Sequence, residues 1–478
     1  MVSFLLALLG LAAALVYYFL CNGGSDSKGK YPPAPRLALP FIGHLHLLGA
    51  KPHVTFLRWS QKHGKIFSAQ LGQYKVLVIN GHKEIQLVLN DSRITGRPQF
   101  PLLETLTNGP NGIQNNRTES WNDLRRFTLH NLKGLGIGRG LQSLNIQSEI
   151  AHLQGNLSKA RGPVDIKTAV LEAMGSSVWE IVAGQRLEDE FVLRTLRNIG
   201  RCVNKIGVAT YFPHWSTPLL VPVWKELALL SGHLAEFQHK QIEDHVKSLD
   251  PEHPRDFIDL FIMDSTLRKQ DLVSVMNEFL IGGCLPTAWT LAWAILYLSV
   301  NPDVQDGLQE EIDSVLGSTQ PTMEARPKMP LAIAVLMETL RKSSFFPLGV
   351  FHSTTEDMTL FDFQIPKDTI ICANLYSAHH DVEVWTDPDN FRPSRFIAPD
   401  GNGGKKLLRN EASIPFSTGK RSCVGELMAK ELLFLYLTSL FQKFTFRLSN
   451  EAEITRDIES RGGFLSLPPD FNVVVTER

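Results

Sequence analysis

A single cysteine, Cys423, lies in the run Phe416-Ser417-Thr418-Gly419-Lys420-Arg421-Ser422-Cys423-Val424-Gly425, directly ahead of the helical pattern ELMAKELLFLYLTSLFQKF. A cysteine between glycines at the head of a helix can sit in a tight loop whose backbone N–H groups point at its sulfur. That lowers the thiol pKa and favours a thiolate metal ligand; the plainer alternative is a small buried cysteine in a turn. Upstream, Glu338 and Arg341 stand three residues apart on one helix face, and Arg395, in Phe391-Arg392-Pro393-Ser394-Arg395-Phe396, could supply a second guanidinium. Most such pairs are solvated surface contacts worth little. Trp121 and Arg125 fall one helical turn apart, an indole N–H and a guanidinium able to grip one anion together. Their alternative is an interfacial tryptophan beside an exposed arginine.

Helical spacing or helix-rich composition predicts helices over Trp121–Leu132, Val164–Ala183, Trp224–Ser248, Leu272–Val300 and Val304–Leu316. Lys65–Leu71 and Tyr74–Ile79, separated by Gly72-Gln73, predict a hairpin, with short strands near Met358–Phe363, Thr369–Ala373 and Phe471–Val475. A helix-dominated body with small peripheral sheets fits one large, mainly α (α+β) domain. The 478 residues are 43% hydrophobic and 20% charged, which excludes disordered and collagen-like classes. A net charge of −1 offers no basic field for nucleic acid. The five cysteines (Cys21, Cys202, Cys284, Cys372, Cys423) are odd in number and widely separated, against a disulfide framework or a zinc cluster.

Val2 to Cys21 is an uncharged apolar run of 20 residues, about 30 Å of helix, enough to span a hydrocarbon core. No lysine or arginine precedes it, so an uncleaved anchor is expected rather than a signal peptide. Lys28, Lys30 and Arg36 follow the run and keep the body on the cytosolic side. Pro32, Pro33, Pro35 and Pro40 cannot continue the helix and predict a semi-rigid arm. The expected organisation is a transmembrane anchor over 1–22, a proline-rich linker over 23–45 and a catalytic domain over 46–478.

In this order along nearly the whole chain, Trp-x-x-x-Arg, a long central helix, Glu-x-x-Arg, Pro-x-Arg-Phe and Phe-x-x-Gly-x-Arg-x-Cys-x-Gly closely resemble the cytochrome P450 superfamily. LRRFTLHNLKGLGIGR and FFPLGVFHSTTEDMTLFDFQIPKDT look most like its animal microsomal family-2 clan. The resemblance implies a P450 fold and haem b (iron protoporphyrin IX), with Cys423 as axial thiolate and iron ligand. It implies propionate contacts from Arg97, Trp121, Arg125, His352 and Arg421, with Phe416 beside the thiolate loop. Glu338, Arg341 and Arg395 would form a buried ion network behind the haem.

The central helix departs from the family pattern. Where Ala/Gly-Gly-x-Asp/Glu-Thr-Thr is usual, this chain reads Gly282-Gly283-Cys284-Leu285-Pro286-Thr287. Leucine cannot relay a proton, and proline has neither a hydroxyl nor an N–H. One reading keeps a monooxygenase, with Thr287, a water held in a kink at Pro286 or a substrate hydroxyl replacing the relay. A second is a haem-thiolate isomerase or dehydratase acting on a peroxide without reductase, and a third is a catalytically impaired haem-binding protein. The first is preferred, because the peroxide-rearranging groups usually alter the cysteine loop as well.

The resemblance places substrate walls at Phe100, Leu102, Leu103, Ile113, Phe212, Leu280, Gly282, Gly283, Val350 and Phe464, few of them charged, which implies a lipophilic small molecule. Electrons would come from NADPH only indirectly, through a membrane-bound NADPH–cytochrome P450 reductase, with cytochrome b5 as an additional partner, since no dinucleotide fingerprint is present. Arg126, Lys133, Lys420 and Lys430 are candidates for the basic docking face. The expected location is the endoplasmic reticulum membrane, single-pass, with the catalytic domain cytosolic.

Overall fold

The protein is described by a computed structural model covering Gly10 and residues 31–118, 120–138, 143–212, 222–401, 404–450 and 463–478. The apolar run Val2–Cys21 lies, but for Gly10, outside the described residues.

The longer helices are α1 (Pro52–His63), α2 (His82–Asn90), α3 (Ser120–Gly134), α4 (Ser143–Lys159), α5 (Ile166–Ala183), α6 (Glu190–Ile206), α7 (Val223–Ser248), α8 (Gln270–Ser299), α9 (Pro302–Leu316), α10 (Pro330–Ser343) and α11 (Glu426–Lys443). The largest core packs α5, α8 and α11 together, with Trp179, Trp293 and Tyr436 each almost wholly buried. Each such side chain contributes on the order of 1.5–3 kcal/mol of transfer free energy. Polar atoms carried inward find partners: Trp293 Nε1 donates to Ser466 O at 3.0 Å, and Tyr436 Oη donates to Ala173 O at 3.0 Å. The α8 helix is long and apolar enough to cross a membrane, yet 78% of its most apolar window is buried, so it is a core helix.

The predicted hairpin is present as β1 (Ile66–Leu71) and β2 (Tyr74–Ile79), with Ile66 opposite Ile79 and Leu71 opposite Tyr74 around the two-residue turn. A four-stranded sheet, β1-β2-β6-β3, is completed by β3 (His352–Ser353) and β6 (Ile370–Ala373), the β2–β6 pair being parallel. The remaining pairs are β4 (Met358–Leu360) with β5 (Phe363–Ile365), β7 (Ile397–Pro399) with β8 (Lys405–Leu407), and β9 (Phe444–Leu448) with β10 (Val473–Glu477). This is a helix-rich body with small sheets. The proline segment, expected as a semi-rigid arm, lies along β1: Ser68 N donates to Pro33 O at 2.7 Å and Ser68 Oγ donates to Pro32 O at 3.0 Å. Prolines keep their carbonyl acceptors, so an extended proline run can still be tied to a sheet edge through them.

The expected kink at Pro286 takes another form. Gln270–Asn277 and Leu285–Ser299 are α-helical, and Glu278–Cys284 between them is π-helical, with Pro286 in the first turn of the following α segment. Proline donates no N–H to the preceding turn and crowds its i−4 carbonyl. The wider π turn absorbs both effects before the proline rather than by bending at it.

Candidate functional site

The cysteine loop closes on itself through Cys423 N donating to Phe416 O at 3.0 Å, and α11 begins at Glu426. Its turn requires glycine at 419: φ is +79°, and a Cβ there would lie 1.9 Å from the Leu89 carbonyl oxygen. The Cys423 side chain is enclosed by protein but presents its accessible surface to an internal cavity. Burial pushes its thiol up from the ordinary value, while a hydrogen bond from the Gly425 amide, Arg125 and Lys430 pull it down. The expected net lowering by the loop is therefore not found, because desolvation outweighs the amide; a coordinated metal ion deprotonates a thiol outright.

The cavity encloses about 1,470 Å³ between atoms, its open mouth included. Arg97, Arg125, His352 and Arg421 line it together with Phe416 and Cys423. Each cation is held by backbone or hydroxyl oxygens. Arg97 donates to Gln114 O and Phe351 O, both at 2.9 Å, and Arg125 to Ser422 O at 2.6 Å. Arg421 donates to Thr95 O at 3.0 Å, Ile113 O at 2.9 Å and Asn116 O at 2.8 Å. Among the described residues, none of the three guanidiniums forms an ion pair with a carboxylate.

The electrostatic consequence is large. Burial, then the repulsion of Arg97 and Arg125, pushes Arg421 down to about 8. Burial likewise takes Arg97 down to about 10. His352 is held well below its ordinary value by burial and Arg97, and its Nδ1, 2.9 Å from Ile94 O, carries the proton in the neutral ring because a carbonyl can only accept. Three guanidiniums without carboxylate partners, two of them buried and Arg125 half-buried, around one cavity with a cysteine in its wall fit a ligand that carries two carboxylates and a metal. Haem b, with two propionates and an iron, has that donor demand.

Trp121 is not in the cavity wall. The Arg421 guanidinium carbon lies 3.7 Å from its ring centroid, so the indole meets the cluster through that arginine.

Behind the cavity, Glu338 and Arg341 are fully buried on α10, joined by bonds of 2.7 and 2.8 Å, and Arg395 Nε reaches Glu338 Oε1 at 3.0 Å. Arg341 also donates to His379 O at 2.7 Å and Pro388 O at 2.8 Å, which ties α10 to the 379–395 segment.

On the α8 wall, Gly282, Gly283, Pro286, Thr287 and Thr290 face the cysteine cavity, whereas Leu285 faces a second, adjoining cavity of about 910 Å³. Thr287 Oγ1 donates to Gly283 O at 2.7 Å. The second cavity is lined by Phe100, Leu102, Leu103, Gly282, Val350 and Phe464, and Ile113 lines the first. Leu280 is instead wholly buried in the core, and Phe212 packs beside the β1–β2 sheet without lining either cavity.

One side chain that sequence reasoning passed over is central here. Glu278 lines both cavities, the one carboxylate among the described residues to line either, and accepts from Ile113 N at 2.8 Å and Gln114 N at 2.7 Å. The same two peptides present their carbonyls to Arg421 and Arg97. Burial raises Glu278 to about 7 against the pull of those amides. The apolar spacing of α8 gave a faint signal, an acid within an otherwise hydrophobic helix.

Comparison with known proteins agrees. The family model "Cytochrome P450" matches residues 32–475. Cytochrome P450 2J2 of Homo sapiens is 32% identical over 453 residues, covering 89% of this chain and 88% of the relative. Cytochrome P450 2K4 of Oncorhynchus mykiss is 33% identical over 461 residues (92% and 90%), and cytochrome P450 2U1 of Homo sapiens 30% over 447 (89% and 81%). The chain belongs to the cytochrome P450 family and is a haem-dependent monooxygenase of its family-2 kind.

Proposed function

We propose that this protein inserts one oxygen atom of O₂ into a lipophilic small molecule, such as a steroid, fatty acid, terpenoid or foreign compound, using electrons from NADPH through a reductase. The observation that carries the reading is the set of three carboxylate-free guanidiniums and Cys423 around one cavity that opens beside a second, almost wholly apolar one. When bound, haem supplies the activation of O₂ and the oxygen transfer. Cys423 would be its axial ligand, Arg97, Arg125, Arg421 and His352 would hold its propionates, and Trp121 would support Arg421. Phe416 would pack against the ligand loop, and the Glu338–Arg341–Arg395 network would keep the segment behind it rigid.

The chain's own residues then bind, orient and exclude water. Phe100, Val350 and Phe464 offer the apolar wall that desolvates a substrate, and Ile113, Gly282 and Gly283 the surface beside the cysteine cavity. Thr287 is the relay candidate: with its hydrogen on the Gly283 carbonyl, its lone pairs remain able to hold a cavity water. Its placement favours the monooxygenase over a reductase-independent peroxide isomerase or dehydratase, and over an impaired haem binder.

For electron supply, Arg126, Lys133, Lys420 and Lys430 are exposed or partly exposed on α3, the cysteine loop and α11. Arg126 and Lys430 are also partnered with Asp123 and Glu426, which leaves a mixed rim with net basic character toward the reductase or cytochrome b5. The division into an anchor over 1–22, a linker over 23–45 and a catalytic domain over 46–478, in the endoplasmic reticulum membrane with a cytosolic body, is supported by the apolar run and the lysines after it.

Two measurements test the reading. Reduced protein under carbon monoxide is expected to absorb at the thiolate-haem position, and a Cys423→Ala variant that kept this band would overturn the assignment. Reductase and NADPH are then supplied across a lipid library; turnover of a hydroperoxide without NADPH, with none under NADPH, would favour the isomerase instead.

A further inference from the structure

The distal turn of this chain has lost both groups of the usual acid–alcohol pair, and the same helix face carries a different acid. Glu278, Gly282 and Pro286 follow at i, i+4 and i+8 on α8, and all three line both cavities. A Cβ built at Gly282 meets no atom within 4 Å, so the stripe between Glu278 and Pro286 is an open groove. Thr287 stands at its far end with its hydroxyl on Gly283 O. The groove coincides with the π-helical turn Glu278–Cys284, a geometry that recurs at functional sites.

We propose that Glu278 is the proton source of this site, delivering protons along water held in the Gly282 groove to Thr287, in place of the acid and alcohol absent at Leu285 and Pro286. This rests on the haem-thiolate monooxygenase reading.

The two backbone N–H bonds occupy two of the roughly four lone-pair sites of the carboxylate, so it can carry a proton toward the groove without leaving its anchor. In the transfer, the Glu278 O–H bond breaks as a groove water gains the proton, each water passes one of its own to the next until the water held on Thr287 Oγ1 carries it into the cysteine cavity, where the reaction consumes it, and the carboxylate is reprotonated by a hydronium ion that enters from bulk solvent. Net charge and atoms are conserved. The groups that set its ionisation come from every side: Asp271, two turns before it on α8, raises it; Arg421 from the cysteine loop lowers it; and Arg97, at the start of the 97–116 segment, is its other cationic neighbour. Asp271 itself is bound to Arg268 and the Gly112 amide and lines neither cavity, which leaves Glu278 as the acid that can act. With burial these interactions place its midpoint at about 7, where a general acid works best.

The test separates source from path. Infrared spectroscopy of the holoprotein across pH 6–8 reads the protonated carboxyl band. It is expected to titrate in wild type, to be missing in Glu278→Gln and to persist in Gly282→Val, whose side chain fills the groove but leaves the anchor intact. NADPH oxidation with reductase is then followed in H₂O and D₂O. Both variants are expected to fall at least about 10²-fold, the lower end of the 10²–10⁴ range of a positioned acid, and Glu278→Gln to lose the wild-type pH profile. A merely structural role for Glu278 would lower the rate of Glu278→Gln without changing its pH profile, and would leave the solvent isotope effect of Gly282→Val at the wild-type value, whatever the valine does to substrate binding. Wild-type rate and isotope effect in Gly282→Val, or no titrating band in wild type, overturns the proposal. Gly282→Ala, whose methyl touches nothing, serves if the valine variant fails to fold, with a smaller loss expected and an unchanged rate counting against the groove. Absence of the carbon monoxide band in wild type would instead sink the underlying functional reading.

Discussion

The Arg421 guanidinium stacks 3.7 Å from the centroid of the Trp121 ring, and this contact joins α3 to the loop that carries Cys423. The stacking holds a cation that has three carbonyl partners and no carboxylate. Trp121→Ala is expected to destabilise the protein by about 0.5–2 kcal/mol beyond its lost packing and to speed haem loss. Trp121→Phe should recover part of both. Haem transfer to an acceptor apoprotein and thermal melting measure the two effects.

Removal of Glu338 should be far more damaging. Its carboxylate serves Arg341 and Arg395 with side chains 0% and 7% exposed, so Glu338→Ala strands two buried guanidiniums. The expected loss is about 3 to 5 kcal/mol, read as a lower urea midpoint, and the neutral Glu338→Gln should recover little of it.

Gly419→Ala tests the loop geometry. The added methyl meets the Leu89 carbonyl at 1.9 Å in a left-handed conformation. The conformation alone costs on the order of 1–3 kcal/mol and the clash adds to it. Haem content after expression is expected to fall even where the helices, by circular dichroism, remain.

The buried Glu278 carboxyl has a pH signature in stability. Its folded pKa, about 7, lies above the 4.5 of the free side chain. The folded state therefore holds the proton more tightly, and the associated stability is complete below pH 4.5 and lost as pH rises through 7. Buried His53 and His379, lowered to about 4 and about 3, act in the opposite sense: the stability linked to them grows as pH rises from those values to 6.5. The difference between wild type and Glu278→Gln isolates the glutamate and should shrink by up to about 3 kcal/mol between pH 4.5 and 7.5. Denaturant melts at four or five pH values suffice.

Thr287→Val removes the hydroxyl on Gly283 O while keeping the shape. Turnover is expected to fall about 10²-fold with haem content and the carbon monoxide band unchanged. A companion Leu285→Asp, Pro286→Thr variant restores the usual pair, and product formed per NADPH should rise if the loss of that pair limits the native protein.

The chain by itself determined the fold class and the metal-ligand candidate, because both are written in local order: helical apolar spacing, the Gly72-Gln73 turn, and a cysteine between glycines at the head of a helix. It also carried the cations, whose types are visible one by one. What it could not show is which of them share a cavity. Arg97 and Arg421 are 324 positions apart in the numbering, and only the packing of the 97–116 loop against the cysteine loop sets both around one space. Glu278 went unread for the same reason. A glutamate in an apolar helix has no meaning until the fold brings the amides of Ile113 and Gln114 to it from 165 and 164 residues away. The π turn likewise belongs to the tertiary level: Pro286 announced a distortion, and the surrounding core decided that it would be absorbed before the proline, leaving the Gly282 groove open beside Thr287.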